Sequence, residues 1–423
     1  MDEPRVRQPR HYEAFRCIGA DCEDTCCSGW RVTVDRHTYD LYQDCSNPEL
    51  KPSFASLITI NGNSANDDDY ASITPNGTEC PFLSDGLCSI QQKLGEDYLS
   101  KLCATYPRVM NVVDGVLERS LEASCPEAAR LALLEPTPME FEELPPDTGS
   151  ARLGSVSVLV TSGSQYPDKP YRHFHEARRL VISLLQNRSY PLSSRLIILA
   201  HLCDKLNEVT AAQHHDEVPD IVRGYADAIN HGLFDDLLRG CAAQPTRQLE
   251  IVLELIVGRI TSDFTPRRFL DCYEEFMHGI EWRSESSMAE IGIRYAEAYR
   301  QYYAPFMGQY EYVMERVLVN YVYKTLFPLG PQESTQKLSI YRRDSTIPVQ
   351  YILMAVHYAI QKAVLIGMSG YHKSDLNTGH LIKLHQSYAK AFEHSTSFPE
   401  LAVEILGGHG LSNAASMAAL IQN

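Results

Sequence analysis

The sequence predicts a mainly α-helical protein in which a cysteine-rich N-terminal domain with short strands precedes a larger all-α domain. Nine of the twelve cysteines lie between Cys17 and Cys125. From about residue 170 onward, apolar residues recur at the spacing of long amphipathic helices. Between these regions, the segment EPTPMEFEELPPDTGS is rich in proline and acidic residues, which is typical of linkers. We therefore divide the chain into a cysteine-rich domain at 1–135, a linker at 136–168 and an all-helical domain at 169–423.

Length and charge limit the classes of partner. The chain has 423 residues, which is enough to bury a large core. Its 38 basic and 54 acidic residues give a formal net charge of −16. Nucleic acids and anionic membranes require a basic surface, so this charge argues against both as main partners. An acidic surface suits a lysine-bearing partner, although an ordinary solvated surface has the same composition.

No segment has the composition of a membrane span or a secretory signal. The most apolar window, 351–368, is interrupted by His357, Gln361 and Lys362, which predicts a buried helix and no membrane insertion. The first fifteen residues contain no apolar h-region, which predicts a cytoplasmic protein. In that reducing compartment, clustered cysteines favour metal binding or redox chemistry over a disulfide framework.

Short strands, turns and capped helices are predicted for the cysteine-rich domain. Residues 32–34 alternate as in a short strand, and Asp35 can cap the helix that follows. The pair Asp85-Gly86 predicts a tight turn that brings Cys80 close to Cys88.

Further along, proline and glycine mark the ends of the next elements. The helix that contains Cys103 is expected to end at Tyr106-Pro107, because a residue before proline avoids the helical conformation. The pair Asp114-Gly115 predicts a hairpin turn. Pro126 suits the first turn of a helix that starts after Cys125.

The second part of the chain is predicted to consist of successive helices. The clearest covers 309–326, where apolar residues form a stripe at helical spacing. The predicted helices cover 173–187, 193–207, 219–241, 245–262, 266–278, 287–303, 309–326, 348–368 and 375–394.

Eight cysteines are candidate metal ligands: Cys17, Cys22, Cys26, Cys27, Cys80, Cys88, Cys103 and Cys125. Soft thiolates contributed by several loops are what a zinc or iron–sulfur centre requires. Four ligands would suffice, and the spacing leaves structural Zn²⁺ and an iron–sulfur cluster both open. Neither the CxxC pair of a zinc ribbon nor the CxxxCxxC of radical enzymes is present. The cysteines in predicted helices, Cys203, Cys241 and Cys272, are expected to be buried apolar residues.

Aromatic and acidic residues of the same domain either line a pocket or simply pack and cap. Ring faces and carboxylates are the groups that could hold a cation or move a proton next to the cysteines. These residues are Trp30, Tyr39, Tyr42, Tyr98, Tyr106, Asp35, Glu96, Glu118 and Glu122.

Three segments together resemble the flagellin lysine-N-methylase family and its CxxCC-type zinc- or iron-chelating domain. They are FRCIGADCEDTCCSGWRVTVDRHTYDLY, CPFLSDGLCSIQQKLGEDYLSKLCATYPR and SLEASCPEAARL. The later segment ERVLVNYVYKTLFPL is similar to that family's helical C-terminal half. The resemblance is specific in the first 130 residues and looser afterwards, and it spans nearly the whole chain.

The resemblance implies a bacterial cytoplasmic enzyme that methylates lysine side chains of flagellin, with S-adenosylmethionine as methyl donor. It further implies a [4Fe–4S] cluster, with zinc as the alternative. The eight clustered cysteines carry over as a group, without an assignment of individual ligands.

The methylation chemistry needs a group that accepts the proton of the lysine ammonium, because an ammonium has no free electron pair. Tyr106, Glu122 and Asp35 are the candidate catalytic residues for that step. The sequence contains no glycine-rich methyltransferase loop, so it places no donor pocket. A non-enzymatic zinc- or iron-binding scaffold protein and an electron-transfer module remain as alternative functions.

Overall fold

Helices make up most of the described chain. The computed structural model describes residues 5–62, 66–145, 156–161, 170–262, 264–328, 333–334 and 346–422. The α-helices in chain order are α1 (Arg36–Gln43), α2 (Lys51–Leu57), α3 (Ser89–Leu94), α4 (Lys101–Thr105), α5 (Pro126–Leu133), α6 (Phe174–Leu185), α7 (Leu192–Ala211), α8 (Val218–Asn230), α9 (Asp235–Arg239), α10 (Pro245–Ser262), α11 (Arg267–Gly279), α12 (Met288–Ala298), α13 (Ala304–Thr325), α14 (Ile347–His372), α15 (Thr378–Tyr388), α16 (Phe398–Gly408) and α17 (Ala418–Ile421). The strands are β1 (Val6–Pro9), β2 (Thr33–Val34), β3 (Ile58–Ile60), β4 (Ala71–Ile73), β5 (Leu83–Ser84), β6 (Leu87–Cys88), β7 (Arg108–Val113), β8 (Val116–Leu121), β9 (Phe141–Leu144), β10 (Val156–Leu159) and β11 (Glu333–Ser334).

A six-stranded mixed sheet has the strand order β11-β10-β7-β8-β1-β9. Strand β1 is parallel to β8 and antiparallel to β9. Two segments of the predicted linker at 136–168, β9 and β10, are therefore strands of this sheet. The linker residues 146–155 and 162–168 lie outside the described residues.

The two predicted Asp-Gly turns are confirmed. Asp114 and Gly115 have φ values of 50° and 75° and join β7 to β8 as a hairpin. Asp85 and Gly86 have φ values of 51° and 78° and join β5 to β6, where Cys88 pairs with Leu83. Positive φ at both positions is what a two-residue hairpin turn requires.

The cysteine-rich domain has a small core of its own. It lies between α1, α2 and the three-stranded sheet β2-β4-β3. The rings of Tyr42 and Phe54 stack at 4.2 Å between centroids, and Phe82 packs against Phe54. Asp35 caps α1 as predicted, since its carboxylate accepts a hydrogen bond from Thr38 N at 3.1 Å.

Helix α14 lies at the centre of the helical part. The segment Ile347–Asp375 is long and apolar enough to cross a membrane by length and composition, and its most apolar window is completely buried inside the protein. The prediction of a buried helix is thereby confirmed. Helix α11 crosses α14 so closely that a Cβ on Gly279 would lie 1.7 Å from the carbonyl oxygen of Gly367. Glycine is required at this crossing because the backbones touch.

Two predicted helix boundaries were wrong. The single helix predicted at 219–241 is broken between α8 and α9, where Gly232 has a φ of +67°. The helices predicted at 287–303 and 309–326 form one continuous helix, because the π-helical turn Tyr299–Tyr303 joins α12 to α13. The two predicted ranges leave a gap at 304–308 that contains Pro305; the π turn that precedes this proline shifts the hydrogen-bond pattern by one residue and accommodates it.

Buried polar contacts connect the helical part to the N-terminal part. The Arg178 guanidinium on α6 donates two hydrogen bonds, of 2.5 and 2.6 Å, to the Glu118 carboxylate on β8. On α13, Asn320 donates to the carbonyl of Leu121, and Arg316 donates to the carbonyl of Ala132 at 2.6 Å. Breaking such buried contacts is costly, so α6 and α13 fix the sheet and α5 in position.

Candidate metal centre and its surroundings

Five of the eight predicted ligands line one cavity of about 70 Å³ in the cysteine-rich domain: Cys26, Cys27, Cys80, Cys88 and Cys103. Three of the predicted aromatic residues, Trp30, Tyr42 and Tyr106, complete the wall. A cavity of this size holds several water molecules, because one water needs roughly 10–15 Å³ by the same measure. The cysteines, although far apart in sequence, therefore converge on one space.

Backbone pairing between two loops brings Cys26 and Cys27 next to Cys80. Cys80 N donates to the carbonyl of Cys27 at 2.8 Å, and Gly29 N donates to the carbonyl of Thr78 at 3.0 Å. Gly29 has a φ of +94°, which favours glycine, and an added Cβ would approach the Phe264 ring to 3.2 Å.

A hairpin and a capped helix place the other two cavity cysteines. Cys88 lies at the end of the β5–β6 hairpin and directly precedes α3. Cys103 lies in the first turn of α4, where its N–H donates to the hydroxyl of Ser100, the capping residue. Helix α4 ends before Tyr106, as predicted from the proline that follows.

The remaining predicted ligands, Cys17, Cys22 and Cys125, are not among the residues that line the cavity. The charge of Cys17 acts on Cys22, and the charges of Cys22 and Cys26 act on Cys125. Cys125 directly precedes α5, whose first residue is Pro126, as predicted. Electrostatic interactions of Cys26 with both Cys103 and Cys125 therefore link these cysteines to those that line the cavity.

The thiols of Cys103 and Cys125 are held in their protonated form in the absence of a cation. Burial raises the pKa of Cys103 to about 12, and the nearby Cys88, Cys26 and Cys80 add to the effect. Cys103 nevertheless keeps surface that is open to solvent. Burial also raises the pKa of Cys125 to about 11. A bound metal cation supplies the charge that such thiols need to ionise, so the donor set suits a thiolate-bound metal group.

The cavity does not contain a ready-made site for a single ion. Among the residues that the structure describes, no three Cys, His, Asp or Glu side chains converge closely enough to hold one metal ion. The thiols surround a space and do not point at one position.

A π-helical turn, Ala389–Glu393, brings the helical part next to the cysteines. Its Lys390 Nζ lies 3.0 Å from Asp24 Oδ2 and 2.7 Å from the carbonyl oxygen of Thr25. The preceding Gln386 donates to the same Asp24 oxygen at 2.7 Å. Two side chains from one helix therefore hold the loop that carries Cys22 and Cys26.

A chain of hydrogen bonds leads from the cavity wall into the helical part. The Tyr106 hydroxyl lies 3.0 Å from Ser124 Oγ, which lies 2.9 Å from Nε2 of His394. Burial raises the pKa of Tyr106 well above its usual value, so its hydroxyl stays protonated. The Trp30 ring packs against both Tyr106 and His394, at 5.1 and 5.3 Å between ring centroids.

An ion cluster lies beside this chain. Lys324 Nζ on α13 lies 2.8 Å from Glu122 Oε2 and 2.6 Å from Glu393 Oε2. Burial disfavours the charged lysine, but the two carboxylates outweigh it and raise the pKa of Lys324. Glu122, a predicted catalytic candidate, is therefore next to the cavity wall but is paired with a lysine of the protein itself.

The third catalytic candidate, Asp35, has a capping role in the structure. Burial disfavours its carboxylate, yet hydrogen bonds from Lys101 N and from Thr38 lower its pKa. The carboxylate is thus occupied by structural partners.

Sequence reasoning missed two polar residues of the cysteine-rich domain, Asp24 and Ser124, and five residues of the helical part: Lys324, Gln386, Lys390, Glu393 and His394. These residues have no motif spacing and come from four distant segments. The signal that could have pointed to them is a buried-helix pattern that includes charged residues, as in HQSYAKAFEHS at 385–395.

Comparison with known proteins identifies the helical part. The family described as the FliB lysine N-methylase C-terminal domain matches residues 178–420, more than half of the chain. The chain is 31% identical over 147 residues to the lysine-N-methylases of Salmonella typhimurium and Salmonella choleraesuis, which covers 34% of this chain and 36% of each of theirs. It is 30% identical over 145 residues to the flagellar biosynthetic protein FliU of Salmonella muenchen, which covers 34% of this chain and 85% of FliU.

The similarity to the two lysine-N-methylases thus spans about a third of their length. No solved structure matches the chain. Because the family match runs from within α6 to α17 in one stretch, it includes the π-helical turn Ala389–Glu393 and His394. The chain belongs to the FliB lysine N-methylase family.

Proposed function

We propose that this protein is an S-adenosylmethionine-dependent lysine N-methyltransferase that acts on flagellin and carries a [4Fe–4S] cluster at the cysteine-lined cavity. The observation that carries the proposal is the convergence of five cysteines and Tyr106 on one cavity in a chain of the FliB family. The names of the relatives, lysine-N-methylase and flagellar biosynthetic protein, support the reaction and the flagellar substrate.

The distribution of the thiols favours a cluster over zinc. A single Zn²⁺ needs four ligand atoms within about 2.3 Å of one point, whereas the irons of a cluster occupy several positions. The five cavity cysteines surround a space of about 70 Å³ without meeting at a single point. This arrangement suits a cluster with several irons. With three thiolate ligands, one iron would offer an open position to the amino and carboxylate groups of the donor's methionine part.

The aromatic wall suits a lysine side chain. Trp30 and Tyr106 present their rings side by side at the cavity, and aromatic faces attract ammonium and sulfonium groups. The net charge of −16 favours the approach of a lysine-bearing protein.

In the transfer step, the free electron pair of the neutral lysine nitrogen forms a bond to the methyl carbon, and the bond from this carbon to sulfur breaks. The electron pair of that bond stays on sulfur, which becomes a neutral thioether. Holding the two reactants in line supplies much of the rate.

The lysine must first lose a proton, and the chain Tyr106–Ser124–His394 provides a path. Tyr106 passes its hydroxyl proton to Ser124, which passes its own to His394 Nε2, while Tyr106 takes the proton of the ammonium. Burial lowers the pKa of His394, so the imidazole is neutral and can accept. The carboxylates of Glu122 and Glu393 face the imidazolium that forms, whereas Lys324 and Lys390 oppose it.

The test is to incubate anaerobically purified protein with flagellin and methyl-labelled S-adenosylmethionine and to search for label on lysine. We expect label with the native protein and none with Cys26→Ser. Absence of label with native protein that retains its metal would overturn the methyltransferase proposal.

One observation favours a second function, a non-enzymatic metal-binding scaffold. The cavity of about 70 Å³ is far smaller than the 300 Å³ or more that is usual for small-molecule sites, so the donor's nucleoside part would have to lie outside it. Equilibrium dialysis with labelled S-adenosylmethionine separates the two functions, since a scaffold protein would keep its metal and bind no donor.

A further inference from the structure

We propose that Lys390 is a positioning residue for the metal centre: it fixes the cysteine loop, residues 22–30, and supplies positive charge beside its thiolates. Metal binding in the cysteine-rich domain would then depend on the helical part. The inference rests on the proposed function only in taking the clustered cysteines as metal ligands.

The contacts of Lys390 are unusually complete for a lysine. Its Nζ lies within 3.2 Å of both carboxylate oxygens of Asp24 and 2.7 Å from the carbonyl oxygen of Thr25. It also lies 5.7 Å from the centroid of the Trp30 ring, on the cavity wall. The side chain is 3% exposed. A buried lysine needs such partners to keep its charge, so these contacts define one position for the loop.

Hydrogen bonds within the loop connect Asp24, the partner of Lys390, to the cysteines. Asp24 Oδ1 also accepts from Thr25 N at 2.8 Å, and Thr25 Oγ1 accepts from Cys27 N at 3.1 Å. The stem of Lys390 also lies against Gly29, where an added Cβ would come within 3.5 Å of its Cε. A displacement of Lys390 would therefore move Cys26 and Cys27 together.

The π-helical turn explains how one helix makes these contacts. A π turn contains one more residue than an α turn, and such turns are frequent at functional sites. Within Ala389–Glu393, Lys390 reaches the cysteine loop while Glu393 reaches Lys324. The turn thereby connects the loop to the buried ion cluster on α13.

The charge of Lys390 has a role of its own at a thiolate site. The loop already carries the acidic side chains of Glu23 and Asp24, and metal-bound thiolates add further negative charge. A cation held a few ångströms away offsets this repulsion, and it does so more strongly in a partly desolvated site than in water.

The experiment is a Co²⁺ titration of the full-length, metal-free protein, followed by the absorption of thiolate-bound cobalt. We compare the native protein with Lys390→Met, which keeps the shape of the stem without the charge, and with Lys390→Arg, which keeps the charge. Lys383→Met is the matched control, since Lys383 on α15 makes a 2.7 Å ion pair with Glu275 and is not among the residues around the cysteine loop. Hydrogen exchange of the backbone amides in the loop is measured on the same samples.

We expect Lys390→Met to weaken Co²⁺ binding by about 10–100-fold, as loss of a group that orients metal ligands does, and to speed exchange of the loop amides. Lys390→Arg should restore most of the affinity, and Lys383→Met should bind as the native protein does. Native affinity and native loop exchange in Lys390→Met would overturn the inference. Equal weakening in Lys383→Met would also overturn it, because the effect would then be general loosening.

The exchange measurement keeps the inference separate from the proposed function. If the native protein takes up no Co²⁺, the charge role of Lys390 fails, whereas the cluster of the proposed function is decided separately by the iron and sulfide content of anaerobically purified protein. The positioning role is then decided by exchange alone: faster exchange confined to residues 24–30 in Lys390→Met supports it, and unchanged exchange refutes it.

Discussion

The helical part and the cysteine-rich domain reach their structures by different means. In the helical part, one continuous apolar cluster runs through nearly every helix, and α14 is buried along most of its length. The cysteine-rich domain has an apolar cluster of eleven buried residues and relies on caps, two-residue turns and ion pairs. Apolar burial stabilises by about 25 cal/mol per Å², so a domain with a small core needs additional restraints.

The difference teaches where the function resides. The stable helical part supplies fixed side chains such as Lys390 and His394, whereas the domain with the small core supplies the reactive thiols. A metal bound by thiolates contributes folding free energy directly, so the same ligands can serve the chemistry and the stability of the domain.

In this comparison, the largest effect on function is expected when a cysteine of the cavity is replaced. Cys26→Ser should abolish metal binding and methylation, because Cys26 lines the cavity and also interacts electrostatically with Cys125 outside it. Cys241→Ser is the control: Cys241 was predicted to be buried in a helix, but it is half-buried just after the end of α9, where its sulfur bonds to the carbonyl of Leu237 and a hydroxyl can do the same. Metal content by mass spectrometry checks the prediction. Full metal content in Cys26→Ser would remove Cys26 from the set of ligands.

The next effect concerns the stability of the helical part. Gly279→Ala places a methyl group against the backbone of Gly367, where no room exists, and should lower the free energy of unfolding by about 3 kcal/mol or more. Gly408→Ala, at an open position on α16, should change it little. Urea denaturation followed by circular dichroism measures both. Equal stability of the two variants would show that the α11–α14 crossing is not a tight contact.

A smaller effect is expected from the proton path. His394→Gln should slow methylation by about 100-fold at neutral pH, the lower end of what acid–base groups contribute. The native activity should fall as the pH drops through the lowered pKa of His394, since only the neutral imidazole accepts a proton.

His409→Gln serves as the control for this variant, because His409 bonds to Glu254 on the surface and is not part of the path. A native rate and an unchanged pH profile in His394→Gln would exclude His394 from the proton path. The initial rate of label transfer to flagellin, measured across pH, distinguishes these outcomes.

The smallest predicted effect is a pH dependence of stability in the helical part. Burial lowers the pKa of both His357 and His385 to about 4, below their usual value of 6.5. The unfolded chain then binds more protons between these values, so stability is complete above pH 6.5 and falls toward pH 4. For one histidine the loss at pH 5 is about 2 kcal/mol.

Urea denaturation of His385→Gln at pH 7.5 and pH 5 measures that contribution. The variant should lose about 2 kcal/mol less than the native protein between the two values, because glutamine does not ionise. An identical loss in both proteins would mean that His385 is already charged in the folded state.

The predictable part of this fold followed from local rules. The buried helix α14, the two Asp-Gly hairpins and the Asp35 cap each depend on a few adjacent residues, and each was confirmed. The break at Gly232 and the π turn before Pro305 were missed, because both depend on how the helix packs and the local pattern admits a continuous or a broken helix equally well.

Prediction of the site residues was limited in the same way, because only local patterns can be read from the sequence. Cysteine identity and spacing pointed to the residues around the cavity, since few other structures need so many thiols together. Lys390, Ser124 and His394 were missed because their role depends on contacts between segments more than 250 residues apart. A buried lysine next to an aspartate has no signature in the sequence until the helix and the loop are placed side by side.

The most direct test of the central claim, that the cysteine-lined cavity holds an iron–sulfur cluster for lysine methylation, is the iron and sulfide content of anaerobically purified protein together with its absorption spectrum. The account predicts about four iron and four sulfide per chain and the brown colour of thiolate-bound iron. Zinc without colour, or protein that takes up no metal, would contradict it.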